Sequence, residues 1–256
     1  MKLLVLLFAL TLTANAQYMQ AIPAKTADNC DVRADKMEKW LQDWPNLTRY
    51  RQSDADLAAR PDPQRVVFMG DSITDHWDLA ASFPNRPYVN RGISGQTTPQ
   101  MLLRFQQDVV NLKPAVVVIL AGTNDIAGNT GPLSNEEIEN NFSAMAAVAR
   151  ANNIPVVVQS ILPVHNYTER SKIFFPSRSM DRIRTLNAWL KDFAASNHYA
   201  YVDYFSAMLD DQGLLKKDLA DDGLHPNAAG YAMMVKMLEP AIEGSMAKPG
   251  KTSKKK

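Results

Sequence analysis

Two short stretches far apart in the chain carry the residue types that nucleophilic catalysis by a hydroxyl needs. Gly70-Asp71-Ser72-Ile73 places a serine directly after the apolar run Val66 to Met69. Asp222-Gly223-Leu224-His225-Pro226 places a carboxylate three residues before an imidazole. A serine hydroxyl is a weak nucleophile until a base takes its proton. An imidazole can be that base, and a carboxylate fixes its tautomer and stabilises its cation. Ser72, His225 and Asp222 are therefore the candidate nucleophile, base and orienting acid. The oxyanion that forms needs preorganised donors. The Ser72 N–H, the Gly95 N–H and the Asn124 side-chain amide are the candidates. Gly95 lies in Asn90-Arg91-Gly92-Ile93-Ser94-Gly95-Gln96-Thr97-Thr98, and Asn124 in Gly122-Thr123-Asn124-Asp125. Without a Cβ, Gly95 lets a substrate approach its backbone.

Each of these residues also has a plainer reading. Ser72 sits where a serine caps a helix. Ser94, between glycines, is a rival nucleophile, and Asp221 competes with Asp222. Asp71 and Asp125 read as helix caps or hydrogen-bond acceptors. Trp77 reads equally as acyl-pocket wall and as core. His76, His165 and His198 are scattered, with His165 expected at the surface. No H-E-x-x-H or Cys/His spacing occurs, so no metal site is expected. The mixed segment 166–178, with Tyr167, Phe174 and Phe175, is a candidate substrate rim. Cys30 is the single cysteine, so no internal disulfide forms. It is read as a plain thiol.

The elements that must position these groups alternate in type. Strands are expected at 65–70, 87–90, 115–121, 155–161 and 199–202, and helices at 75–81, 98–111, 134–152, 178–197 and 226–243. Alternation of this kind implies a five-stranded parallel sheet with helices on both faces. The stretch from Ala115 to Ala121 is apolar throughout and reads as the central strand. Ligands in such sheets bind at the carboxyl ends of the strands. The stretches holding Ser72, Gly95 and Asn124 all follow strands and so open on one edge. Helix 178–197 stripes Ile183, Leu186, Leu190 and Phe193, and helix 226–243 stripes Met233, Met237 and Leu238. An earlier helix, 33–44, groups Val32, Met37, Trp40, Leu41 and Trp44, and is expected to pack on the domain.

The four polar stretches, taken together and in order, resemble the sequence blocks of the SGNH hydrolases, also called GDSL esterases and lipases. Ile73 stands where leucine is usual. The resemblance spans about residues 65–240. It implies a flavodoxin-like three-layer α/β/α sandwich and ester hydrolysis without a cofactor. It also implies the roles assigned above: Ser72, Asp222 and His225 as triad, and Ser72, Gly95 and Asn124 as oxyanion hole. The stretch Gly92 to Thr98, Gly122 to Asp125 and Asp222 to Asn227 are similar to the branch with platelet-activating-factor acetylhydrolase subunits and bacterial acetyl esterases. That favours short acyl groups, acetyl first, on small esters or acylated carbohydrates. Lysophospholipase or thioesterase activity on longer chains, and carbohydrate binding without catalysis, are the alternatives. No G-x-S-x-G elbow is present, which disfavours the ordinary α/β-hydrolase fold.

Composition bounds the rest. The chain has 256 residues, 46% hydrophobic and 21% charged, with a net charge of +1. That is the balance of a water-soluble globular domain, and it disfavours nucleic acid as a partner. Lys2, the apolar run Leu3 to Leu12 and Ala14-Asn15-Ala16 describe a secretory signal cleaved after Ala16. The run is too short to span a membrane. The expected organisation is a signal peptide at 1–16, a linker and packing helix at 17–60, the hydrolase domain at 61–245, and a basic disordered tail at 246–256. The protein is expected to be secreted or periplasmic. Sequons at Asn46, Asn141 and Asn166 matter only in a glycosylating host, and oligomeric state is not readable.

Overall fold

The computed structural model describes residues 30–247. The expected signal peptide and most of the basic tail lie outside the described residues. Five strands form: β1 (Val66–Gly70), β2 (Tyr88–Gly92), β3 (Val116–Leu120), β4 (Val156–Gln159) and β5 (Ala200–Val202). They pair in the order β2-β1-β3-β4-β5, every pair parallel. All residues of β1 and β3 are buried, as an apolar run in a doubly covered sheet requires. Alternate residues face opposite layers. Val67, Met69, Val117 and Ile119 pack with Met101, Phe142 and Leu186 on one side. Val66, Phe68, Val116 and Val118 pack with Trp77, Phe83, Met234 and Leu238 on the other. The result is the three-layer α/β/α sandwich expected from the sequence. Strand order reverses between β1 and β3, and such a switch point opens a crevice at the strands' carboxyl ends.

The helices are α1 (Cys30–Asp43), α2 (Arg51–Ala58), α3 (Ser72–Asp75), α4 (Leu79–Ser82), α5 (Thr98–Asp108), α6 (Thr123–Ile126), α7 (Asn135–Ala151), α8 (Glu169–Phe174), α9 (Met180–Asn197), α10 (Tyr204–Met208) and α11 (Ala228–Met246). Their starts follow capping chemistry. Ser134 and Glu137 form a capping box on α7, and Asn227 accepts from the Ala229 and Gly230 N–H groups at the head of α11.

Several expectations need correction. The single helix expected at 75–81 is two short ones, because Asp78 caps a fresh start by accepting from the Ala81 N–H. α1 begins at Cys30, inside the expected linker. Its stripe does not seat as expected: Leu41 is 86% and Met37 44% exposed. The chain after α1 is instead held by amides. Gln100, Gln96 and Gln107 donate to the carbonyls of Trp44, Pro45 and Leu47. α2 was not expected. It docks through a buried Asp54–Arg91 ion pair at 2.7 Å, with the Arg91 guanidinium over the Tyr50 ring. The buried row of α11 is Gly230, Met234, Leu238 and Ile242. Met233 and Met237 only flank it, and Phe193 of α9 is half-buried against Trp189.

Candidate active site

Ser72 is the first residue of α3, immediately after β1. Asp71 caps that turn, its Oδ1 accepting from the Ile73 N–H at 3.0 Å. The cap fixes the backbone that carries the serine. Gly92, at the end of β2, lets this turn lie close: a Cβ there would stand 2.1 Å from the Asp75 nitrogen. The position therefore excludes a side chain. Burial pushes the Asp71 carboxyl up to about 6, and among the described residues its Oδ2 has no hydrogen-bond partner.

His225 arrives from the other end of the chain. Its Nε2 lies 2.9 Å from the Ser72 Oγ. Its Nδ1 lies 2.7 Å from the Asp222 Oδ2. The second oxygen of Asp222 accepts from the Leu224 and His225 N–H groups. Burial works against ionisation of Asp222, but the hydrogen bonds and charge of His225 outweigh it. The carboxyl is held below its usual range. Asp221 turns away and accepts from the Asn227 side chain. An acceptor on Nδ1 places the ring proton there and leaves Nε2 free to take the serine proton.

Asn124, in α6 after β3, and Gly95, after β2, line the same cleft as Ser72 and His225. Gly95 has φ +81°, a conformation that favours glycine. Asn124 donates from Nδ2 to the Gln96 carbonyl at 3.1 Å, and its Oδ1 accepts from Arg178 at 3.3 Å. The cleft has a volume of about 640 Å³. Segment 166–178 supplies part of its wall through Arg170, Ile173, Phe174, Ser177 and Arg178.

Other predicted residues fall elsewhere. Trp77 is core, 3% exposed, and donates to the Ser82 Oγ. His165 is buried, not on the surface. Its N–H donates to the Gly223 carbonyl and its ring lies against Tyr167. Asp125 braces α5, with Oδ1 accepting from the Thr98 N–H at 2.9 Å. Ser94 is tied to Asp75, which accepts from both its N–H and its hydroxyl. Its Oγ stands 3.4 Å from the His76 Nε2, and the His76 ring lies 5.4 Å from that of His225. The Cys30 side chain, read as a plain thiol, lies outside the described residues.

Sequence reasoning missed Arg104. It is fully buried and joins three parts of the site. Its Nε donates to the Gln96 side chain, one Nη to Asp108 at 2.7 Å, and the other to the Gly70 carbonyl. The available signal was an Arg–Asp pair four residues apart on the apolar face of a helix. Arg104→Met would strand the buried Asp108 charge and is expected to cost about 3–5 kcal/mol. Urea unfolding measures this; a loss under 1 kcal/mol would contradict the bracing role.

The profile of the GDSL-like lipase/acylhydrolase family matches residues 68–233, nearly two thirds of the chain and all four polar stretches. The chain belongs to that family. It is a carboxylic ester hydrolase with the GDSL fold. A Bacteroides fragilis protein described as an acylhydrolase superposes with a TM-score of 0.73 at 40% identity, covering 80% of this chain and 99% of that one. The acetylxylan esterase of Geobacillus stearothermophilus is 28% identical over 68% of this chain and 91% of its own. The Bacillus subtilis lipoprotein YqeF is 30% identical over 44% of this chain, and that match spans 54% of its length. Among the described residues, no helix is long and apolar enough to cross a membrane.

Proposed function

We infer that this GDSL hydrolase works through Ser72, His225 and Asp222 in two acyl-transfer steps. The observation that carries this reading is the unbroken contact chain Asp222–His225–Ser72, at 2.7 and 2.9 Å. His225 takes the hydroxyl proton as Ser72 attacks the ester carbonyl. Asp222, ionised beside it, stabilises the imidazolium. The carbonyl oxygen becomes an oxyanion facing the Ser72 and Gly95 N–H groups and the remaining Nδ2 hydrogen of Asn124. The imidazolium returns its proton to the leaving alcohol. Water then repeats the sequence on the acyl-enzyme and releases the acid.

The substrate assigned is a short-chain ester, acetyl first, of a polar alcohol such as a sugar. The likeness to an acetylxylan esterase supports it. So do the His76 imidazole and Ser94 hydroxyl on the cleft wall, which suit a hydroxylated leaving group. One observation favours longer chains instead: Ile173, 81% exposed, stands with Phe174 at the cleft mouth. A p-nitrophenyl series from acetyl to palmitoyl decides. kcat/KM is expected to be highest for acetyl and to fall with length; a maximum at long chains would assign a lysophospholipase-type or thioesterase-type activity.

Export is part of the same proposal. The leader at residues 1–16 and the likeness to a lipoprotein support it. Amino-terminal sequencing of the protein from the extracytoplasmic fraction of a bacterial host is expected to start at Gln17. An intact Met1 on that material would contradict cleavage.

A further inference from the structure

Arg178 is a buried cation at the wall of the cleft, 7% exposed. Among the described residues, no carboxylate lies within ion-pairing distance of its guanidinium; Asp71 and Asp222 act on it only at longer range. Among the described residues, its Nε has no hydrogen-bond partner. The contacts it does make are to the Phe174 carbonyl, the Ser177 hydroxyl and the Asn124 Oδ1, with its guanidinium also over the Phe174 ring at 5.3 Å. A desolvated guanidinium without a counter-charge is costly to keep. Such a group is favoured where negative charge develops nearby.

We propose that Arg178 is a positioning residue that acts through Asn124 on the oxyanion. The proposal rests on the triad reading above. The Asn124 amide has two donors and one acceptor in play. The Gln96 carbonyl takes one hydrogen, and Arg178 occupies the oxygen. Those two contacts fix which way the amide faces, so the second Nδ2 hydrogen is presented to the oxyanion. A charged donor on Oδ1 also draws electron density from the amide and strengthens that N–H as a donor. The negative charge of the transition state is then the counter-charge Arg178 lacks in the resting enzyme. The effect falls on kcat, because the ester carbonyl of the bound substrate carries no full charge.

A double-mutant cycle on p-nitrophenyl acetate tests this, using Asn124→Ala, Arg178→Met and both together. Asn124→Ala is expected to lower kcat about 10²–10³-fold. Arg178→Met is expected to lower it about 10–100-fold with KM changed less than about threefold. In the Asn124→Ala background, Arg178→Met is expected to change kcat by less than about threefold. An equal loss in both backgrounds, or a loss confined to KM, would overturn the proposal. Should Arg178→Met not fold, Arg178→Gln, which keeps a polar head but carries no charge, is run through the same cycle with the same two results. Fluorophosphonate labelling of Ser72 in each variant separates this failure from failure of the triad. Ser72 labelled with an additive cycle sinks only the role of Arg178.

Discussion

Ser72→Ala is expected to lower kcat on p-nitrophenyl acetate by about 10⁴-fold or more while leaving the protein folded. Among the described residues, the Ser72 hydroxyl has one hydrogen-bond partner, the His225 Nε2. The turn that carries it is capped by Asp71, not by Ser72 itself. Removing the Oγ would therefore delete the proposed nucleophile and spare the structure that presents it. A small residual rate over water is expected from the oxyanion donors and from binding. Steady-state kinetics and thermal unfolding measure the two halves. A variant that keeps a tenth of its activity would move the nucleophile elsewhere, with Ser94 next in line.

His225→Ala is expected to cost kcat a similar factor, about 10⁴-fold, and to remove the acid limb of the pH–rate profile. Three groups bear on that limb. Asp222 is held below the usual carboxylate range, because His225 and two backbone N–H groups outweigh its burial. A carboxyl whose folded pKa is lowered stabilises the fold above its ordinary range and loses that contribution as pH falls through its folded value. Asp222 thus stays ionised throughout an assay from pH 5 to 9. Burial lowers the His76 pKa, with the charge of His225 adding to the shift. The hydrogen bonds place His225, not His76, on Ser72. Between pH 5 and 9, the wild-type rate is expected to rise with pH. A limb that survived in His225→Ala would assign the base to another group, His76 first.

The sheet was legible because its signal is local. β1 and β3 are unbroken apolar runs, the first opening into Asp71-Ser72 and the second bounded by Pro114 and Gly122. An apolar run of that length has few places to go except between two layers. The convergence of the candidate site residues was legible for a related reason. Ser72, Gly95 and Asn124 each follow a strand, and parallel strands end on one edge. Asp222 and His225 are close enough in sequence to meet within one turn.

What the sequence hid depends on partners distant in the chain. α2 carries Arg51-Gln52-Ser53-Asp54-Ala55-Asp56-Leu57-Ala58, with almost no apolar stripe, and is docked by an ion pair to Arg91. The α1 stripe has the right spacing, yet Leu41 faces out, because periodicity defines a face without naming what covers it. His165 is buried by the return of the Gly223 loop, more than fifty residues later. Arg178 sits in a segment read only as rim, and its reach to Asn124 follows from the path of the chain from α8 into α9.

In the proposed mechanism, the Ser72 hydroxyl is activated by an imidazole 153 residues away in sequence. Labelling the protein with a fluorophosphonate, digesting it and mapping the adduct by mass spectrometry tests that claim most directly. A single adduct on Ser72, lost in His225→Ala, is expected. An unlabelled wild-type protein, or an adduct on Ser94, would contradict it.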